Sequence, residues 1–232
     1  MKGSRVRGDL DEAPESGGMS RRTLARTTAW TAPIAVVAVA APAYAASVPC
    51  VGGQAVLVQG TSPTVLGFSP SAVTAAVSYS TTGWAGDPTP GETGEVHPTD
   101  YTPAWNYLKL HHPAGMDQGD TITLTLAFSQ PVLGLTLTIT DIDKATGQWI
   151  DQVIVDTLGF VAAPAANVVG AGTSANPFTT KVDSGISSAL GDLKLTWAGP
   201  LSVVQLTYRA GDVQNSSGIG QHIGVGRIGF SC

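Results

Sequence analysis

The stretch Thr121-Ile122-Thr123-Leu124-Thr125-Leu126-Ala127-Phe128-Ser129-Gln130-Pro131-Val132-Leu133-Gly134-Leu135-Thr136-Leu137-Thr138-Ile139-Thr140 decides the fold. Ile122, Leu124, Leu126 and Phe128 alternate with threonines, and so do Leu133, Leu135, Leu137 and Ile139. A period of two sends the large apolar groups to one face and the threonines to the other. Threonine is β-branched and suits that pleated outer surface. We read two half-buried strands here, separated by Ser129-Gln130-Pro131.

The same alternation recurs on the C-terminal side. Leu193, Leu195 and Trp197 form one apolar set, and Val204, Leu206 and Tyr208 another. Ala198-Gly199-Pro200 between them predicts a hairpin turn. In the closing segment Ile223 and Val225 share one parity, whereas Ile228 and Phe230 share the other. A one-residue slip would turn the apolar face outward, so a bulge is expected near Gly226-Arg227. Weaker strands are expected over residues 51–59, 72–79, 107–111, 153–156 and 178–182. No segment after residue 46 carries a capped 3.6-residue pattern. The expectation is an all-β chain: a single antiparallel β-sandwich, jelly-roll-like, behind an N-terminal signal peptide.

The first 45 residues read as an address. Ser20-Arg21-Arg22-Thr23-Leu24-Ala25-Arg26 precedes an apolar run over residues 29–41, and Ala43-Tyr44-Ala45 supplies a small-x-small cleavage signal. The segment resembles twin-arginine (Tat) export signals of Gram-positive, high-GC, actinobacterial-type bacteria. It implies cleavage after Ala45, a mature domain over residues 46–232, and no membrane attachment after cleavage. Acidic residues before Met19 are unusual in an export leader, which suggests translation starting at Met19. The expected location is outside the cell, secreted or associated with the cell wall.

Composition narrows the partners. The chain has 232 residues, of which 43% are hydrophobic, enough to bury a core. Six of the 12 basic residues and four of the 17 acidic ones precede residue 46, leaving 6 against 13, a net charge of −7. That balance excludes a basic nucleic-acid footprint. Cys50 and Cys232 are the two cysteines. In an oxidising compartment they read as a disulfide joining the first strand to the last.

A wider resemblance rests on Phe128-Ser129-Gln130-Pro131-Val132, the apolar run 135–140, Asp141-Ile142-Asp143 and Trp149-Ile150-Asp151-Gln152-Val153. This pattern, Phe-x-x-Pro-Val followed by Asp-Ile-Asp, is similar to that of bacterial secreted and cell-surface β-sandwich domains. The resemblance implies fold and location more than activity.

Three groups of residues carry candidate chemistry. Asp141, Asp143 and Asp151 form an acidic trio. Carboxylates with nearby loop carbonyls are the hard oxygens that Ca2+ takes, though such residues also serve turns through their own backbone. Two carboxylates two apart at a strand end are expected to point to one side. The irregular region 84–118 holds Trp84, Tyr101 and Trp105, whose rings could stack on the sugars of an extracellular glycan, or could plug the end of the sandwich. His97, His111 and His112 also lie there, but neighbours on a strand face opposite ways and do not readily share one metal. No Gly-x-Ser-x-Gly elbow or His-Glu-x-x-His motif is present. The leading expectation is a non-catalytic exterior protein for recognition, adhesion or envelope structure. A carbohydrate-binding module using residues 84–118 is the first alternative, and a secreted glycan-acting enzyme the second.

Overall fold

The computed structural model describes residues 51–83, 93–112, 117–145, 147–182, 188–211 and 221–231. All of them belong to one compact unit, Ser47–Cys232. The strands are β1 (Gly53–Ala55), β2 (Val65–Ser69), β3 (Thr74–Thr82), β4 (Val96–Pro98), β5 (Asn106–His112), β6 (Thr121–Thr140) and β7 (Lys144–Ala145). They continue as β8 (Trp149–Val155), β9 (Phe160–Pro164), β10 (Val168–Val169), β11 (Thr179–Thr180), β12 (Leu193–Trp197), β13 (Leu201–Ala210) and β14 (Gln221–Ser231). The fold is all-β and antiparallel, in two packed layers. Among the described residues no helix is long and apolar enough to cross a membrane.

β6 is one strand, not two. Its first half lies between β3 and β13, and its second half between β14 and β12. The buried set changes parity on the way, from Ile122, Leu124, Leu126 and Phe128 to Leu135, Leu137 and Ile139. Ser129, Gln130 and Pro131 are exposed where the strand turns the corner, and Gly134 takes a positive φ of 56°. Proline is tolerated there because it falls at the interruption of the ladder. The two apolar faces thus belong to the two layers, and β6 passes from one to the other.

The expected hairpin of β12 and β13 is corrected by the same geometry. β12 pairs with the second half of β6 (Leu193 opposite Ile139, Trp197 opposite Leu135). β13 pairs with the first half (Val204 opposite Leu126, Arg209 opposite Thr121). The two strands therefore run on in one direction beside β6. Ala198-Gly199-Pro200 is a corner that matches the corner in β6, not a reversal.

One layer is β2-β3-β6-β13-β8-β7 and the other is β4-β5-β14-β6-β12-β9. β1 pairs with both β14 and β2 and ties the layers together, with Gly53 opposite Phe230. Between them lies a continuous core that includes Leu66, Leu124, Leu137, Trp197, Leu206 and Val225. Phe68 and Phe128 from one layer meet Phe230 from the other, with centroids 5.2–6.5 Å apart. Such pairs add roughly 0.5–1.5 kcal/mol each beyond area burial. The expected bulge in β14 is present: its register against β6 shifts between Gly226 and Gly229, and Arg227 emerges at the surface.

Candidate functional site

The outer side of β5 and β14 builds a polar and aromatic cleft. Tyr107 on β5 lies opposite Gly226 on β14 and His97 on β4. Side chains at Gly224 and Gly226 would fill the space that the rings of Tyr107 and Trp105 occupy. The alternation Gly224-Val225-Gly226 thus points Val225 into the core and leaves a bare backbone floor for two aromatic rings. His97 and His222 lie near-parallel to Tyr107, at centroid distances of 6.2 and 6.3 Å.

Two non-glycine residues among those described have positive φ, and both belong to this cleft: Asp141 at 64° and Arg227 at 46°. Left-handed backbone in residues with a Cβ is costly and gathers at functional positions. At Asp141 it ends β6 and turns the carboxylate toward β14, where Oδ2 lies 3.2 Å from His222 Nε2. The Tyr107 hydroxyl is 3.3 Å from the same nitrogen. Burial first, then the charges of Asp143, Asp100 and Asp192, push Asp141 up to about 8, against a smaller opposing effect of Lys109. Burial pushes His222 down to about 3. Burial thus works against charge on both members of this contact. At Arg227 the positive φ lies in the β14 bulge, and the guanidinium sits 4.9 Å above the Trp105 ring, a cation–π contact.

Tyr101 joins the cleft to β12. Its hydroxyl donates to Asp192 (2.7 Å to Oδ2), accepts from Trp105 Nε1 (3.2 Å) and lies 3.1 Å from Thr140 Oγ1. Thr140 Oγ1 donates to Asp192 Oδ1 at 2.7 Å. Burial raises Asp192 above the usual carboxylate range, opposed by the hydrogen bonds from Thr140 and Tyr101 and by Arg227. Thr99, Asp100, Tyr101, Tyr107, Thr140 and Asp141 enclose about 20 Å³. That is room for one water-sized group, such as a hydroxyl.

The acidic trio divides between two surroundings. Asp141 contacts His222, yet the charge of Asp143 still acts on it, and the charges of both act on Asp151. Asp143 Oδ1 accepts from Trp149 Nε1 at 2.8 Å. Asp151, fully buried in β8, accepts from the Asp143 backbone N–H at 2.9 Å, from the Tyr208 hydroxyl at 2.5 Å and from Gln221 Nε2. Burial raises Asp151 well above the ordinary range. Those donors take up part of the lone pairs that a calcium ion would use. Among the described residues no group of three or more His, Cys, Asp or Glu is arranged to hold a metal ion. Next to this network the buried His112 ring stacks on Tyr208 at 3.9 Å, and burial pushes it down to about 3.

Of the expected aromatic trio, Tyr101 and Trp105 meet through a hydrogen bond and are half-buried. Trp84 lies outside the described residues, as do Cys50, Cys232 and the leader. Sequence reasoning did not single out Asp192, Thr140, His222 or Arg227. The phase break in β14 was the available signal for Arg227, a lone basic residue among glycines. Asp192 had none, since it enters the site through the pairing of β12 with β6.

No family model matches the chain, and neither the curated proteins nor the solved structures searched contain a match.

Proposed function

We propose that this chain is an exported, non-catalytic recognition domain of the cell exterior, and that it binds a polyhydroxylated, glycan-type ligand at the Tyr101–Trp105–Asp141–Asp192 cleft. The observation that carries this reading is a small polar space lined by Tyr101, Tyr107, Thr140 and Asp141, with Trp105 bonded to Tyr101 beside it and Arg227 stacked on Trp105. A ligand hydroxyl fits the enclosed space and finds carboxyl and hydroxyl partners there. The Trp105 edge and the Arg227 guanidinium offer an apolar and a cationic flank. The twin-arginine pattern supports export, and export supports a Cys50–Cys232 disulfide. The opposition of Gly53 and Phe230 lies only a few residues from each cysteine in the sequence.

A polysaccharide array followed by titration calorimetry tests the reading. Binding by the wild-type protein, weakened by Trp105→Ala and Asp141→Asn, is expected. Absent binding, or binding indifferent to both changes, would overturn it.

One observation favours a second reading, a glycan-cleaving enzyme. Burial and the neighbouring carboxylates, Asp192 among them, raise Asp141, the direction a general acid needs. Release of reducing ends from polysaccharides, abolished in Asp141→Asn with ligand binding retained, would establish it.

A further inference from the structure

Strand β9 is an open edge. It pairs with β12 on one side and has no strand partner on the other among the described residues. The Ala165 N–H donates to Asp192 C=O at 2.8 Å, in register with the β9–β12 ladder. In an antiparallel ladder, hydrogen-bonded and non-bonded pairs alternate. Val161 and Ala163 therefore bond inward to Thr196 and Lys194. Phe160, Ala162 and Pro164 direct their backbone groups away from β12. The outer edge offers N–H groups at Phe160 and Ala162 and C=O groups at Phe160, Ala162 and Pro164. Pro164 stands where its missing N–H costs the fold nothing.

This edge carries one guard, Pro164 at its C-terminal end, and no charge. Exposed edges are normally guarded by charges, prolines or shortness. β4, another edge, is flanked by Glu95 and holds His97 and Pro98, and β7 has only two residues, one of them Lys144. In contrast, residues 157–180 contain no charged side chain. Leu158 is 82% exposed and Val161 72%. In a chain with a net charge of −7 from residue 46 onward, an edge without charge lets two copies meet there with little mutual repulsion.

We infer that β9 pairs antiparallel with β9 of a second copy of this chain, about a two-fold axis through Ala162. In that register each Ala162 N–H meets the Ala162 C=O of the other copy. Each Phe160 N–H meets the opposite Pro164 C=O. Every outward N–H is used, and the Phe160 C=O that faces a proline stays open to water. Val161 of each copy lies beside Ala163 of the other, an apolar cross-strand pair with no like charges opposed. A symmetric, self-complementary contact of this kind closes at two subunits. It joins two six-stranded layers into one continuous sheet and presents two recognition clefts per particle.

Sedimentation velocity of the purified protein over a concentration series tests the inference. A monomer–dimer equilibrium is expected. Val161→Lys places a charge on the edge and is expected to weaken the dimer by about tenfold or more, roughly 1.4 kcal/mol, with an unchanged melting temperature at dilutions where both proteins are monomeric. Ala162→Pro removes an N–H that the fold itself does not use, and is expected to act likewise. A protein that stays monomeric up to about 1 mM overturns the inference, as does a dimer unaffected by Val161→Lys. If Ala162→Pro fails to fold, Val161→Lys decides alone. Glycan binding by a monomeric Val161→Lys protein separates this inference from the recognition reading.

Discussion

The ring of Tyr107 lies against the backbone of Gly224, in the space that a Cβ on that residue would take. Gly226 stands in the same relation to Trp105, where a Cβ would come 2.5 Å from Cζ3. Neither φ is positive, so these glycines serve close approach and not a special backbone conformation. Gly224→Ala should force Tyr107 or Thr140 aside and cost about 1–3 kcal/mol, as overpacking does. Urea denaturation measures it, and an unchanged midpoint would show that the ring moves freely. Gly226→Ala should tilt Trp105 and weaken ligand binding as well.

Folding shifts protons in two opposing directions. Burial holds protons on Asp141 and Asp151 that the unfolded chain releases near pH 4. Burial keeps His112 and His222 neutral in the fold, whereas the unfolded chain protonates them below about 6.5. Between about pH 4 and 6.5 the protons held by Asp141 and Asp151 offset those refused by His112 and His222, and only the raised Asp192 tilts stability, slightly downward as pH rises. Above that window only the carboxyls still differ, so stability falls as pH rises toward about 8, where Asp141 ionises in the fold. Below about pH 4 the unfolded carboxyls regain their protons and the histidines alone differ, so stability falls with acid down to about pH 3. Melting temperatures across this range should trace a slightly tilted plateau with two falling limbs. Asp141→Asn should make the alkaline limb shallower; an identical limb would acquit Asp141.

Asp192 is the acceptor on which Tyr101 and Thr140 converge. Asp192→Ala leaves both hydroxyls without that partner and should cost about 1–2 kcal/mol, since water reaches this half-buried site. Ligand binding should drop more than stability does, because Tyr101 and Trp105 lose their anchor. Calorimetry and denaturation on the same variant separate the two. Equal binding by the variant and the wild type would place the ligand elsewhere.

The cysteines are expected to be bridged. Thiol titration of the exported protein in denaturant should find no free thiol. Reduction should lower stability by as much as about 5 kcal/mol in the chain-entropy limit for so long a loop. Two titratable thiols per chain would remove the bridge from the account.

Export should depend on the arginine pair. Replacing Arg21 and Arg22 together with lysine should abolish appearance of the protein outside a twin-arginine-competent bacterial host. Undiminished export would assign the leader to another route.

Much of the fold was legible in the residues because period-two alternation is a local property of the chain. It marked the apolar faces of β6, β12 and β13, and the parity change in β14 marked its bulge. The same alternation could not tell one bent strand from two, nor a corner from a hairpin. Those depend on which layer each face packs against, a long-range choice. The candidate site was less legible. Tyr101, Trp105 and Asp141 stood out as aromatic and acidic residues in turns or at a strand end. Asp192 and His222 lie 51 and 81 residues from Asp141 in the sequence and reach the cleft only through strand pairing.

By itself, then, the sequence determined an antiparallel all-β domain, its apolar faces and the β14 bulge, since side-chain direction along a strand follows from residue order alone. The tertiary structure decided that β6 serves both layers, that Gly224 and Gly226 floor an aromatic cleft, and that Asp141 meets His222 while Asp151 is held in a buried network. The physical reason is the left-handed backbone at Asp141. It turns this carboxyl toward His222 while Asp143 and Asp151 remain with Trp149 and Tyr208, and only the packed strands hold it there.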